Sequence, residues 1–409
     1  MRSIAKFYTW FWIIYFPTCI GFNDMPGFSS IDEVITVILI GYTWMKKGDW
    51  WTNKKPWKEF SVFLCLLTFY VIYSLIWGRN IADAVWLDLV QQIRPYSVIY
   101  CTWILNPQFS KKQRRNMLIS MLLTLGAWLF YHPTARQGEE FPVLGQLAIT
   151  TAMAYYLFTE QTKRNLAFSL IIATVGLLCG KAKYFGEYVA FIGVILFLKE
   201  RMRLGDPRLM MWGVVLVVAV LFFVWDKFAL YFVEGMDNEG MARPMTFKTS
   251  FLIYRDYFPF GSGMGTFATN AAWKIYSPLY PEYGLDQVWG LNRGGGFICD
   301  TYFPSLCQFG VFGLFFFLWF WKRRISDMYH IIDFRYYKIA MMSFLCLFIE
   351  NTADSSYLSG KGMGYFMLLG ICLNANRTMA VRKQKLVQAK TMKRKVITHE
   401  ENKGLVVET

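Results

Sequence analysis

Ionisable side chains within long apolar runs are costly to bury, so the few that occur mark where this chain could do chemistry. Arg94 lies midway along an apolar segment, with Asp88, Gln91 and Gln92 one or two helical turns away. It reads as part of a polar cavity, as half of a buried Arg–Asp pair, or as a snorkelling arginine. Lys181, Lys183 and Glu187 crowd a tight turn between two apolar runs. Lysine presents a compact charge to phosphate oxygens, so the turn suits a polyanion or ordinary lipid headgroups. Arg136 is followed by Glu139 and Glu140, which offer it a local ion pair. Arg243, Lys248, Arg255, Lys274 and Arg293 share one long connection. Arg293 precedes Gly294, Gly295 and Gly296, where the backbone can approach a ligand or simply bend. Asp300 and Tyr302 open the next apolar run. An acid there is a candidate general base toward a hydroxyl, or the partner of a loop arginine.

The elements that must position these groups follow from composition. Of 409 residues, 55% are hydrophobic, 19% aromatic and 17% charged. That balance, with apolar runs recurring from end to end, predicts an all-α, polytopic integral membrane protein. About twelve spans are expected, near 5–22, 31–46, 59–77, 83–105, 116–132, 141–159, 165–180, 184–199, 208–226, 298–321, 335–353 and 360–376. The net charge of +15 does not point to nucleic acid, because the basic residues cluster in alternate connections, after spans 2, 4, 6, 8 and 10. This is the positive-inside pattern, and it puts both termini in the cytoplasm. The division expected is a single transmembrane domain over 1–376, carrying an outer loop at 227–297, and a basic cytoplasmic tail over 377–409 that anchors on lipid headgroups. Span 1 lacks a small-residue cleavage site and is expected to remain as an anchor. The eight cysteines form no Cys-x-x-Cys pair and the three histidines are far apart, so neither a metal nor another cofactor is expected.

The loop at 227–297 breaks the run of short connections and is rich in Gly, Pro, Tyr and Trp, so it is expected to fold. Phe247, Phe251 and Tyr254 fall at i, i+4 and i+7, which predicts an amphipathic helix over 243–257 with an aromatic face. Pro259, Gly261, Gly263 and Gly265 end it.

At this loop the chain resembles the bacterial O-antigen ligase and O-antigen polymerase family. Arg243, Pro259 and the turn Gly261-x-Gly263-x-Gly265-x-Phe267 match the family's arginine, proline and glycine-rich turn. Arg136 with the residues after it looks like the family's Arg-x-x-Gly loop, and Lys181-Ala-Lys183 like its Ser-Arg or Ser-Lys turn. The family's histidine before the next span is replaced here by Cys299 or Asp300, and no other histidine fits the motif.

The resemblance implies metal-independent glycosyl transfer at the periplasmic face of the cytoplasmic membrane. The donor would be an oligosaccharide on polyprenyl pyrophosphate. The acceptor would be another lipid-linked glycan, with polymerase favoured over lipid A core ligase. Arg243, Arg136 and Lys183 would neutralise the leaving pyrophosphate, and Asp300 would orient or deprotonate the acceptor. Lys181, Lys248, Arg293, Arg94, Gly263, Gly265 and Tyr302 would contribute to substrate binding. Membrane lipid and other polysaccharide-assembly proteins are the expected partners. Two other readings stay open: a polysaccharide-lipid flippase, and an assembly subunit without catalysis.

Overall fold

The computed structural model describes residues 2–21, 31–46, 54–135, 142–201 and 240–379, with isolated positions at 207, 211, 214, 218 and 229. All regular structure among the described residues is helical. The expected span at 208–226 and nearly all of the basic tail lie outside them.

The helices fall where the apolar runs do. They are α1 (Arg2–Tyr15), α2 (Ile31–Met45), α3 (Lys54–Trp77), α4 (Ala82–Leu105), α5 (Lys111–Ala135), α6 (Pro142–Phe158), α7 (Lys163–Val175) and α8 (Ala182–Ile192). After the gap come α9 (Ala242–Asp256), α10 (Gly310–Tyr329), α11 (Phe334–Glu350) and α12 (Met363–Leu373). A tight helical segment, Phe303–Phe309, runs directly into α10. Local chemistry sets several ends. The Thr162 side chain accepts from the Asn165 amide to start α7, and the Asp333 side chain accepts from the Arg335 amide to start α11. Asn106, at φ 47°, closes α4 by donating its amide to the Thr102 carbonyl.

Helix α4 is the central column. It packs on α2, α3 and α12, and from Arg94 to Leu105 every residue is buried. Two described helical stretches are long and apolar enough to cross a hydrocarbon core, Lys54–Trp77 and Phe303–Tyr329. Val143–Phe158 and Gly360–Leu373 are apolar but shorter. Helices α4 and α5 are long enough, at 24 and 25 residues, but carry too many polar side chains, while π or 3-10 turns interrupt some of the others. Examples are Phe16–Gly21 after α1 and Gly193–Phe197 after α8.

Residues 240–301 form a small body with a core of their own, built on Ile253, Phe267, Leu279, Tyr280, Leu285, Leu291 and Ile298. Its helix α9 appears within one residue of the expected bounds, and its aromatic stripe divides: Tyr254 packs against the cores on both sides of it, whereas Phe251 does not. Phe251 is 68% exposed, while Pro244, Thr246, Thr249, Ser250 and Ile253 are buried. The reason is close approach: α9 packs on Phe303–Phe309, and short side chains let the two backbones come together where Phe would hold them apart.

Candidate functional site

The sequence scatters Lys183, Arg243 and Asp300 over more than a hundred positions; the fold gathers them. Arg243 opens α9, and its Nε donates to Asp300 Oδ2 at 2.7 Å, with one Nη donating to the same oxygen. The guanidinium also lies over the Phe297 ring at 5.9 Å. Lys183, at the start of α8, reaches across to the end of α11. Its Nζ sits 2.5 Å from Glu350 Oε2 and 2.7 Å from Asp354 Oδ2. Lys361 approaches the same Asp354 oxygen at 3.7 Å. The two groups are neighbours: the Tyr302 amide, two residues on from Asp300, donates to the carbonyl of Asn351, next to Glu350, and the charges of Asp354 and Lys183 reach Asp300.

Burial and partner charge compete at each member. Burial would lower the Lys183 ammonium, but Glu350 and Asp354 more than offset it and hold its pKa above the usual lysine range. Burial would raise the Asp354 carboxyl; Lys361 and Lys183 overcome it and hold it well below the usual carboxylate range. At Asp300 burial wins and pushes the carboxyl up, against the pull of Arg243. The Arg243 and Asp300 side chains remain 24% and 25% exposed, so this end of the cluster is open to a ligand.

The sequence leaves Asp300 either a base or the partner of a loop arginine, and leaves Lys183 facing a polyanion or lipid headgroups; the fold gives a carboxylate partner to both Arg243 and Lys183. Each is matched by carboxylates, and the three cations Arg243, Lys183 and Lys361 face the three acids Asp300, Glu350 and Asp354. An incoming polyanion must therefore displace or share with an acid.

The remaining candidates go elsewhere. Arg94 is a buried ion pair: it lies 2.7 Å from Asp32 Oδ2 and 3.7 Å from Glu33 Oε1, and donates to the Leu358 carbonyl at 2.5 Å. Of the alternatives open for Arg94, the carboxylate partner is Asp32 and not Asp88. Gly263 and Gly265 sit at φ +95° and +70°. A Cβ on Gly265 would meet the Ala84 carbonyl at 2.6 Å, so only glycine fits the close approach to α4. The amides of this turn are already engaged: Gly263 donates to the Gln308 carbonyl, Met264 to Ser74 Oγ, and Gly265 to Asp88 Oδ2 and Gln308 Oε1. The turn is thus a buried joint between α3, α4 and the start of α10. Tyr302 is buried and stacks on Tyr357 at 4.4 Å. Lys248 and Arg293 are exposed on the 240–301 body, and Lys181 is half-buried beside the cluster. The glycine triplet closes a turn, with Gly295 donating to the Asn292 carbonyl at 2.8 Å. Arg136 lies outside the described residues.

Sequence reasoning missed the connection after α11. Residues 351–361 bring Asp354 and Lys361 to Lys183, present the Leu358 carbonyl to Arg94, and offer the Asn351 carbonyl to the Tyr302 amide. The available signal was Glu350 closing an apolar run with Asp354 one helical turn on. Glu187 belongs here too: it is fully buried, and its Oε1 accepts from the Tyr365 hydroxyl at 3.2 Å. Among the described residues no three His, Cys, Asp or Glu side chains converge as a metal ion would require. No family model and no curated protein matches this chain.

Proposed function

We propose that this chain is a polytopic protein of the cytoplasmic membrane that transfers a glycan from polyprenyl pyrophosphate to a lipid-linked acceptor, working at the periplasmic face. On this reading about twelve spans cross the bilayer, with both termini in the cytoplasm, and polymerase is favoured over ligase. The membrane part rests on exposed apolar surface. The apolar window of Lys54–Trp77 is only 22% buried, and Trp10, Ile38, Ile72, Phe315 and Leu318 are each at least 50% exposed. A soluble monomer seldom leaves a helix that apolar so largely uncovered.

The observation that carries the functional part is the convergence of Arg243, Asp300 and Lys183 into one half-open cluster at the end of the helices. In the proposed reaction the acceptor hydroxyl oxygen bonds the anomeric carbon as the bond to the pyrophosphate oxygen breaks. The hydroxyl proton passes to Asp300. Arg243 turns from Asp300 to the departing phosphate, where fixed positive charge stabilises the growing negative charge. Lys183 is drawn toward the same phosphate from its carboxylates.

The test gives purified protein in vesicles a polyprenyl-pyrophosphate oligosaccharide and follows polyprenyl pyrophosphate release together with chain growth. Release coupled to a longer glycan is expected. Movement of the lipid across the vesicle without release would instead make the chain a transporter.

A further inference from the structure

At the far end of α10 from Asp300 lies a second charged cluster that the transfer reaction does not use. Arg324 is fully buried, pairs with Glu59 on α3, and sits 3.0 Å from Asp327. Its guanidinium lies over Trp103 at 4.6 Å and Tyr100 at 5.6 Å, yet its Nε and Nη1 have no hydrogen-bond partner. Arg323 lies 3.1 Å from Glu59 Oε1, stacks on Trp319 at 4.9 Å, and is 43% exposed. Lys55 pairs with Asp327. The three cations Lys55, Arg323 and Arg324 therefore outnumber the two acids Glu59 and Asp327 by one.

A cleft of about 650 Å³, measured out to its open mouth, begins at this cluster. Its walls come from α3, α4 and α10, and it runs from Glu59 and Trp319 past Leu66 and Phe316 toward Leu306 and Tyr302. Leu306 to Trp319 covers roughly 20 Å at 1.5 Å per residue, about two thirds of the hydrocarbon core of a bilayer. The cleft's one charged wall residue is Glu59, and Arg323 lies against both Glu59 and Trp319 at the exposed rim; an apolar slot of that length ending beside an exposed cation has the chemistry of an acyl chain joined to a phosphate.

We propose that this cleft holds one chain of an anionic glycerophospholipid, with its phosphate on Arg323 and its chain along Leu66 and Phe316. The surplus charge selects an anionic headgroup over a zwitterionic one. The lipid covers an apolar slot, so it acts as a structural component. The proposal rests on the membrane reading and not on glycosyl transfer.

The test is native mass spectrometry of the purified full chain, delipidated and then titrated separately with phosphatidylglycerol, phosphatidylethanolamine and a polyprenyl phosphate. One retained phosphatidylglycerol is expected, with weaker retention of the other two. Arg323→Gln should lower that retention about tenfold through loss of a charge-assisted contact. Leu66→Trp should fill the slot and abolish it in protein that is otherwise folded. Equal retention in both variants overturns the proposal, as does preference for polyprenyl phosphate. Carbonate extraction of membranes tests insertion separately: protein released by carbonate removes the membrane reading itself, whereas inserted protein without bound phosphatidylglycerol removes only the lipid site.

Discussion

Two Arg–Asp pairs show how the same chemistry takes different roles in different surroundings. Arg94 and Asp32 are 4% and 8% exposed and are fixed further by the Leu358 carbonyl. Arg243 and Asp300 are 24% and 25% exposed, at the edge of a cluster of three cations and three acids. The first pair holds two helices to the connection after α11 and has no room for a ligand. The second can open, because water can take over part of what each partner loses. A buried pair is expensive to break and an accessible one is not.

The sharpest break of the comparison is at Arg94. Arg94→Leu strands Asp32 in the interior and should cost about 3–5 kcal/mol, lowering the thermal midpoint in detergent or preventing folding. Adding Asp32→Leu should restore most of that loss, since neither charge then remains to be buried. A double variant no more stable than the single one would mean that the pair is not the structural unit described.

Lys183→Met should cost a similar amount at neutral pH, about 3–5 kcal/mol, by leaving Glu350 without its cation and Asp354 with Lys361 alone. Its pH dependence carries a sign. In the wild type Asp354 is held below its unfolded pKa, so its contribution is present at neutral pH and is lost only in strong acid. In the variant Lys361 alone still holds Asp354 down, so less of that contribution exists to be lost. The stability difference between wild type and variant should therefore shrink as the pH falls from about 4 toward 2. Unfolding midpoints across that range check it; a difference that stays constant on acidification contradicts the pairing.

Gly265→Ala should cost about 1–3 kcal/mol, from a left-handed backbone and a clash with the Ala84 carbonyl. Thermal unfolding measures it. The smallest stability effect is expected at Arg243: Arg243→Ala should change the midpoint by no more than about 1 kcal/mol, while its effect on any transfer reaction is large.

Much of the fold was legible in the sequence and much of the site was not. Helices appear at every expected apolar run within the described residues, because apolar length is a local property. The bounds of α9 were legible from Arg243 and Pro259, but its buried face was not, since that depends on how closely Phe303–Phe309 approaches. Lys183, Arg243 and Asp300 could be singled out as costly charges. An arginine partner for Asp300 was among the readings, but the partners of Lys183 were not, because Glu350 and Asp354 reach it only through packing of α8 on α11. The glycine turn shows the opposite limit. The family resemblance puts Gly263 and Gly265 in substrate binding, whereas the amides of this turn bond to Ser74, Asp88 and Gln308. Amide partners far away in sequence leave no local trace.

The central claim is that the accessible pair, and not the buried one, meets the substrate. The most direct measurement is the rate of polyprenyl pyrophosphate release from a polyprenyl-pyrophosphate oligosaccharide, compared between Arg243→Ala and the Arg94→Leu/Asp32→Leu double variant at equal folded amounts. Release by Arg243→Ala should fall by about 10²–10³, the usual effect of losing one charge-stabilising donor, while the double variant stays near the wild-type rate. Wild-type release from Arg243→Ala, or a comparable loss from the double variant, would contradict it.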